Sequence, residues 1–114
     1  MNEIFRSAKY TGAAAVAIDF TPSSTKDPVK FSVREVRVHL SAAGGAAENL
    51  VISLDSGSGS AYDVVFSTTA MVAATDVVYV PEVAHIFEKT DVFKIVYANS
   101  NGRTYGIEII YAIE

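Results

Sequence analysis

The residues best equipped for chemistry are few and far apart. Glu35 and Glu108 are carboxylates that an extended chain would turn to one outer sheet face, and a carboxylate pair is the minimum for acid–base cleavage of a glycosidic bond. That work needs a cleft that sheds water and lifts one of the two pKa values, and a small sandwich has little room for one. Charges spaced along strands more commonly serve solvation and edge protection. His39 and His85 are the two histidines, and neither falls in a His-x-His or His-Glu-x-x-His spacing, so no histidine metal site is expected. His39 reads as an outward strand residue and His85 as part of a loop covering an open end of the fold. Asp55-Ser56-Gly57-Ser58-Gly59-Ser60 has the small residues of a phosphate-cradling loop but no Lys-Ser/Thr after its glycines. With Asp63 it offers oxygens to calcium but lacks the alternating carboxylates and closing Glu of a calcium loop, so it reads as a plain hairpin loop. There is no Gly-x-Ser-x-Gly elbow, and with no cysteine there is no thiolate nucleophile, ligand or disulfide. The expectation is a protein that is not an enzyme, with no catalytic, cofactor-binding or metal-binding residue.

Aromatic side chains are the remaining recognition chemistry. The chain has six Tyr, six Phe and no Trp, so a sugar-stacking platform lacks its best residue and a protein interface is the easier reading. Tyr97, Tyr105 and Tyr111 sit on the apolar parity of their strands and are expected mostly in the core; Tyr10, Tyr62 and Tyr79 are not fixed by pattern.

The elements that would position these residues read as strands. From Asp91 to Glu114, Phe93, Ile95 and Tyr97 alternate with polar neighbours, as do Tyr105, Ile107, Ile109, Tyr111 and Ile113. Asn99-Ser100-Asn101-Gly102 between them supplies residues that tolerate positive φ, and the stretch reads as one long β-hairpin. Upstream, Ala14, Val16, Ile18 and Phe20 share a face, and Thr21 to Pro28 is an exposed loop rich in Pro, Ser and Thr. In the strand from Lys30 to Ser41, Phe31 and Val33 hold one parity and Val36, Val38 and Leu40 the other. A bulge near Arg34-Glu35 would keep all five inward and send Arg34, Glu35, Arg37 and His39 out. Ala42 to Ala47 is a small-residue loop, and Leu50, Ile52 and Leu54 share a face. Tyr62, Val64 and Phe66 form the next apolar row; Thr68 to Thr75 is irregular, with Met71 and Val72 plugging the core. Asp76 to Val80 is a short strand stopped by Pro81, and Glu82 to Thr90 is a loop.

Short strands separated by turn signals predict an all-β fold: a two-sheet antiparallel sandwich of about seven or eight strands, jelly-roll-like. At 114 residues, half of them hydrophobic and 19% charged, the chain makes one domain. Residues 11–114 form the sandwich, and residues 1–10 an N-terminal arm or edge strand, packed at home or on a neighbour. A formal charge of −4 with nine scattered Lys and Arg gives no footprint for a phosphate backbone, so no nucleic-acid partner is expected. No apolar run is long enough to span a bilayer and no secretion signal opens the chain, which predicts a soluble protein made in the cytosol.

Three segments carry a resemblance: Tyr97 to Glu108 (Tyr-Ala-Asn-Ser-Asn-Gly-Arg-Thr-Tyr-Gly-Ile-Glu), Val36 to Ala43 (Val-Arg-Val-His-Leu-Ser-Ala-Ala) and Glu48 to Asp55 (Glu-Asn-Leu-Val-Ile-Ser-Leu-Asp). From Phe31 onward the chain resembles the small auxiliary head proteins, decoration or cement proteins, of tailed bacteriophages. The resemblance implies a jelly-roll-like fold and a homo-oligomer, dimer or trimer. It further implies binding to the major capsid protein on the capsid exterior, with assembly in the host cytoplasm. The alternative is a carbohydrate- or receptor-binding sandwich of a phage tail or fibre, which would gather exposed aromatics and acidic loop residues at one end. For an interface, unexplained apolar exposure and outward parity single out Ile4, Phe5, Tyr10, Arg34, Arg37 and His39.

Overall fold

A computed structural model describes residues 4–24 and 27–114. Met1 to Glu3 of the expected arm, and Thr25 and Lys26 of the expected loop, lie outside the described residues. The strands are β1 (Phe5–Gly12), β2 (Val16–Phe20), β3 (Ser23–Ser24), β4 (Asp27–Pro28), β5 (Phe31–Leu40), β6 (Asn49–Asp55), β7 (Val64–Ala70), β8 (Asp76–Tyr79), β9 (Ile86–Phe87), β10 (Val92–Tyr97) and β11 (Tyr105–Ile113). One sheet runs β1-β11-β5-β8, with β9 also on β5; the second runs β2-β10-β6-β7; β3 and β4 make a minimal ribbon. All the ladders are antiparallel.

Taking the eight principal strands in chain order, the first sheet reads 1-8-3-6 and the second 2-7-4-5, which is the strand order of a jelly roll. The expected fold is the observed one. Apart from β6 and β7, which pair as a hairpin, the principal strands alternate between sheets in chain order, and facing the other sheet is how their apolar faces leave water. Val16, Ile18 and Phe20 from β2 and Leu50, Ile52 and Leu54 from β6 meet Val36, Val38, Leu40, Ile107 and Ile109 across the gap, and all are buried.

The bulge expected near Arg34-Glu35 is present. Ile110 pairs with Glu35 while Tyr111 pairs with Val33, leaving Arg34 as the extra residue. Phe31, Val33, Val36, Val38 and Leu40 are consequently all buried.

The expected hairpin from Asp91 to Glu114 is not. β10 pairs with β2 and β6, whereas β11 pairs with β1 and β5, so residues 98–104 cross from one sheet to the other. Period-two alternation reports that a segment is extended and which face is apolar; it does not report the partner, and both arms need a facing layer more than they need each other. The turn chemistry itself is as expected, with Asn99 at φ 50° and Gly102 at φ 62°. Asn99 is buried, its Nδ2 donating to the carbonyls of Ala14 at 3.0 Å and Arg103 at 2.9 Å, and its Oδ1 accepting from the Arg103 N–H at 2.9 Å. The crossover is thereby tied to the link between β1 and β2.

Smaller differences follow from the same topology. Tyr62 lies in a 3-10 turn, Ser60–Tyr62, and is exposed rather than joined to the Val64 and Phe66 row. Thr68 to Ala70 continue β7, Met71 is fully buried as a core plug, and Val72 is exposed. Tyr97 is core; Tyr105 and Tyr111 are half-buried against it.

Candidate functional site

The six residues singled out for an interface all lie on β1 and β5 or just before β1, in one sheet, where they separate into two groups. Ile4, Phe5 and Arg34 gather at one end. Arg34 sits 5.4 Å from the centre of the Phe5 ring, donates from Nε to Ser32 Oγ at 3.1 Å, and pairs with Glu114 at 3.4 Å. Ser32 Oγ in turn donates to Glu114 at 2.6 Å. Ile4 and Phe5 remain exposed.

Tyr10, Arg37 and His39 come together at the other end, lining an open groove of about 630 Å3 on the outer face of the sheet. The register explains the groove. Lys9, Glu108, Arg37 and Val78 stand in one cross-strand row, and Thr11, Gly106, His39 and Asp76 in the next. Gly106 has no side chain, and a Cβ built there would meet nothing within 4 Å, so the second row has a gap that the flanking side chains wall in. Tyr10 faces inward from the groove's edge, and burial, with Tyr111 nearby, raises its phenol above the ordinary value.

Glu35 and Glu108 do share this face, but Arg37 stands between them. Its Nε pairs with Glu35 and its NH1 lies 3.4 Å from Glu108. The hydrogen bond to Glu35 is the main reason the guanidinium pKa is raised. His39 Nδ1 pairs with Asp76, and this hydrogen bond holds the Asp76 carboxyl below the usual carboxylate range. The opposite outer face carries a similar pair, Lys94 with Asp19 at 2.8 Å, which raises the Lys94 ammonium pKa.

The Asp55-to-Ser60 loop joins β6 to β7, as a hairpin loop should. Asp63 is used locally, its Oδ1 accepting the Ser56 N–H at 2.8 Å. Among the described residues no group of three or more His, Asp or Glu side chains could hold a metal ion. The Asp the sequence reading passed over is Asp91. It is buried, and its two carboxylate oxygens each accept a backbone N–H at 2.9 Å, from Gly57 and from Glu88, pinning the loops on either side of it.

The surface that sequence reasoning missed lies along β7, β8, β9 and the segments joining them. Of eleven large hydrophobic residues exposed among those described, seven fall there: Val64, Val65, Val72, Val78 on the groove side, Val80, Val83 and Ile86; Tyr62 lies in the turn just before β7. A signal was present in Val77-Val78-Tyr79-Val80, which is apolar on both parities. Such a run is either covered on both faces or leaves one face uncovered, and β8 is an edge strand with Val78 64% exposed. No helix among the described residues is long and apolar enough to cross a membrane.

No protein-family model matches this chain, and no match is found among curated proteins. Among solved structures, the chain is similar to one in the structure of infectious bursal disease virus, Gx strain. The TM-score is 0.40 and the identity 13%, with 96% of this chain and 32% of the viral chain covered. This chain thus spans about a third of the length of the viral chain it matches.

Proposed function

We propose that this protein is a non-enzymatic virion structural protein that binds and stabilises a bacteriophage capsid shell from outside, as a decoration protein. The observation that carries the reading is the apolar flank: seven exposed large hydrophobic residues concentrated from β7 to β9 of one small domain. Exposed apolar surface on a folded protein gains free energy only when a partner covers it, so such a flank suits adhesion. Jelly rolls are recurrent shell-building modules, which agrees with the reading as analogy, and the three segments resembling auxiliary head proteins point the same way. Its partner is then the major capsid protein, and the protein acts as a dimer or trimer bridging neighbouring capsomers, where many weak identical bridges add up.

The test is to mix the purified protein with empty shells of the major capsid protein encoded in the same gene cluster, and to count bound copies. Saturable binding at a fixed number per capsomer, with greater resistance of the shell to heat, is the expected result. The groove on the outer face favours a second reading, a carbohydrate-binding module, because hydrogen-bonding side chains of Lys9, Thr11, Arg37, His39, Asp76 and Glu108 surround it. Failure to bind shells, together with uptake on a glycan array, would replace the first reading by the second.

A further inference from the structure

The apolar flank has a hole in it. Beside β8 the two sheets part over a cleft of about 200 Å3, walled by Phe66, Tyr79, Val83, His85, Phe87 and Phe93 among others. Its rings form a graded set. Phe87 and Phe93 are buried at its base, Phe66 is half-buried and His85 is exposed at its mouth. Phe66 lies parallel to Phe93 with centres 6.3 Å apart, while Phe87 stands edge-on to both at 6.0 and 5.8 Å. His85 stands edge-on to Phe87 at 4.7 Å.

Two features of the backbone make this cleft. The register of β7 shifts between the partners of Ile52 and Ser53, leaving Phe66 as an extra residue. A bulge of this kind re-aims a side chain, and here Phe66 joins the rings at the flank. β8 then ends at Tyr79 ahead of Pro81, and the chain does not pair again until Ile86–Phe87 meet β5. Residues 80–85 therefore pass the gap without covering it as a strand would.

We infer that this cleft is a seat for one aromatic ring, a Phe or Tyr side chain presented by a protein partner. An apolar cavity of ~150 Å3 already accepts benzene, so 200 Å3 takes a single six-membered ring with little to spare. Walls that offer both ring faces and ring edges suit another ring, because offset and edge-to-face contacts are the favoured aromatic geometries. The mouth argues for a side chain rather than a free small molecule. Val80, Val83 and Ile86 around it are exposed, Val83 by 79%, and a free ring would leave that surface in water, whereas a protein carrying the ring covers it. The arrangement is that of an interface anchor, a ring-lined pocket with apolar residues about its mouth. Naming the capsid protein as the partner rests on the function proposed above; the cleft's preference for a ring does not.

The experiment uses toluene and p-cresol, the Phe and Tyr side chains as free molecules, with n-butanol as the aliphatic comparison. The full chain is titrated and its NMR spectrum followed. Saturable shifts confined to Phe66, His85, Phe87, Phe93 and their neighbours, with n-butanol about tenfold weaker, are expected. Phe66→Trp, which fills the cleft, should abolish both toluene binding and shell binding. Val80→Glu, at an exposed position beside the mouth and outside the cleft's lining, should keep toluene binding and weaken shell binding by at least about tenfold. Toluene shifts that never saturate or spread over the whole chain overturn the seat. Saturable toluene binding with unchanged shell binding by both variants overturns its role as the anchor. Should the unaltered protein bind no shell, the capsid reading falls, and the toluene titration still decides the cleft.

Discussion

The two concave surfaces of this jelly roll are both lined mainly by apolar atoms and differ in their rims. The groove over Gly106 is ringed by charges that cancel in place, Arg37 between Glu35 and Glu108 and His39 against Asp76. The flank from β7 to β9 presents valines and an isoleucine around a ring-lined cleft. Covering the first means stripping water from paired ions, which returns little. Covering the second removes apolar surface from water at about 25 cal/mol for each Å2. A small all-β domain can thus hold one face away from company and offer another, and the difference lies in which strand residues occupy the outward parity.

That contrast can be broken most forcefully at the base of the cleft. Phe87→Ala or Phe93→Ala should cost about 3–5 kcal/mol of folding stability by chemical denaturation, since both rings are buried core as well as cleft floor. A cost under ~1 kcal/mol would mean that the flank is an appendage to the core and not an opening into it. Next comes Asp91, whose carboxylate holds Gly57 before β7 and Glu88 after β9. Asp91→Ala strands two backbone donors in a buried place and is expected to cost about 2–3 kcal/mol while loosening both loops, as amide exchange would reveal.

On the groove side the expected effects are smaller. Gly106→Leu places its side chain in open space, should shift stability by less than ~1 kcal/mol, and should leave shell binding untouched. Loss of shell binding in that variant would move the adhesive surface from flank to groove. Smallest is the pH response of the His39–Asp76 pair. Asp76 is held below its ordinary carboxyl value, so its contribution is present above the usual carboxylate range and is lost as pH falls through the lowered pKa. Because both groups are exposed, the effect on unfolding should be slight; its readout is the NMR titration of Asp76, which His39→Ala should move back up toward the ordinary value.

The legible part of this fold is what alternation encodes. The phase change inside β5 located the bulge at Arg34, and Leu50, Ile52 and Leu54 announced an inward face. Alternation is silent on partners, which is why β10 and β11 read as one hairpin although they lie in different sheets. It is silent too on a missing side chain: Gly106 becomes a groove only once His39 and Thr11 are known to flank it. Interface candidates drawn from outward charges led to the groove, where those charges have partners. The flank was written in Val77 to Val80 and in Val64-Val65-Phe66, but apolar residues on both parities read equally well as a doubly covered strand.

The position of β11 bears on how this protein comes into being. It is the last of the eleven strands in the described residues, yet it lies between β1, the first, and β5, and β1 pairs with no other described strand. During synthesis the β6–β7 hairpin can close early, whereas one whole sheet must wait, its halves unjoined, until the closing segment arrives. Long-range closure of this kind is slow and leaves nascent apolar edges bare in the meantime. A nascent chain that has not yet exposed β11 is therefore the species most prone to stick to its siblings.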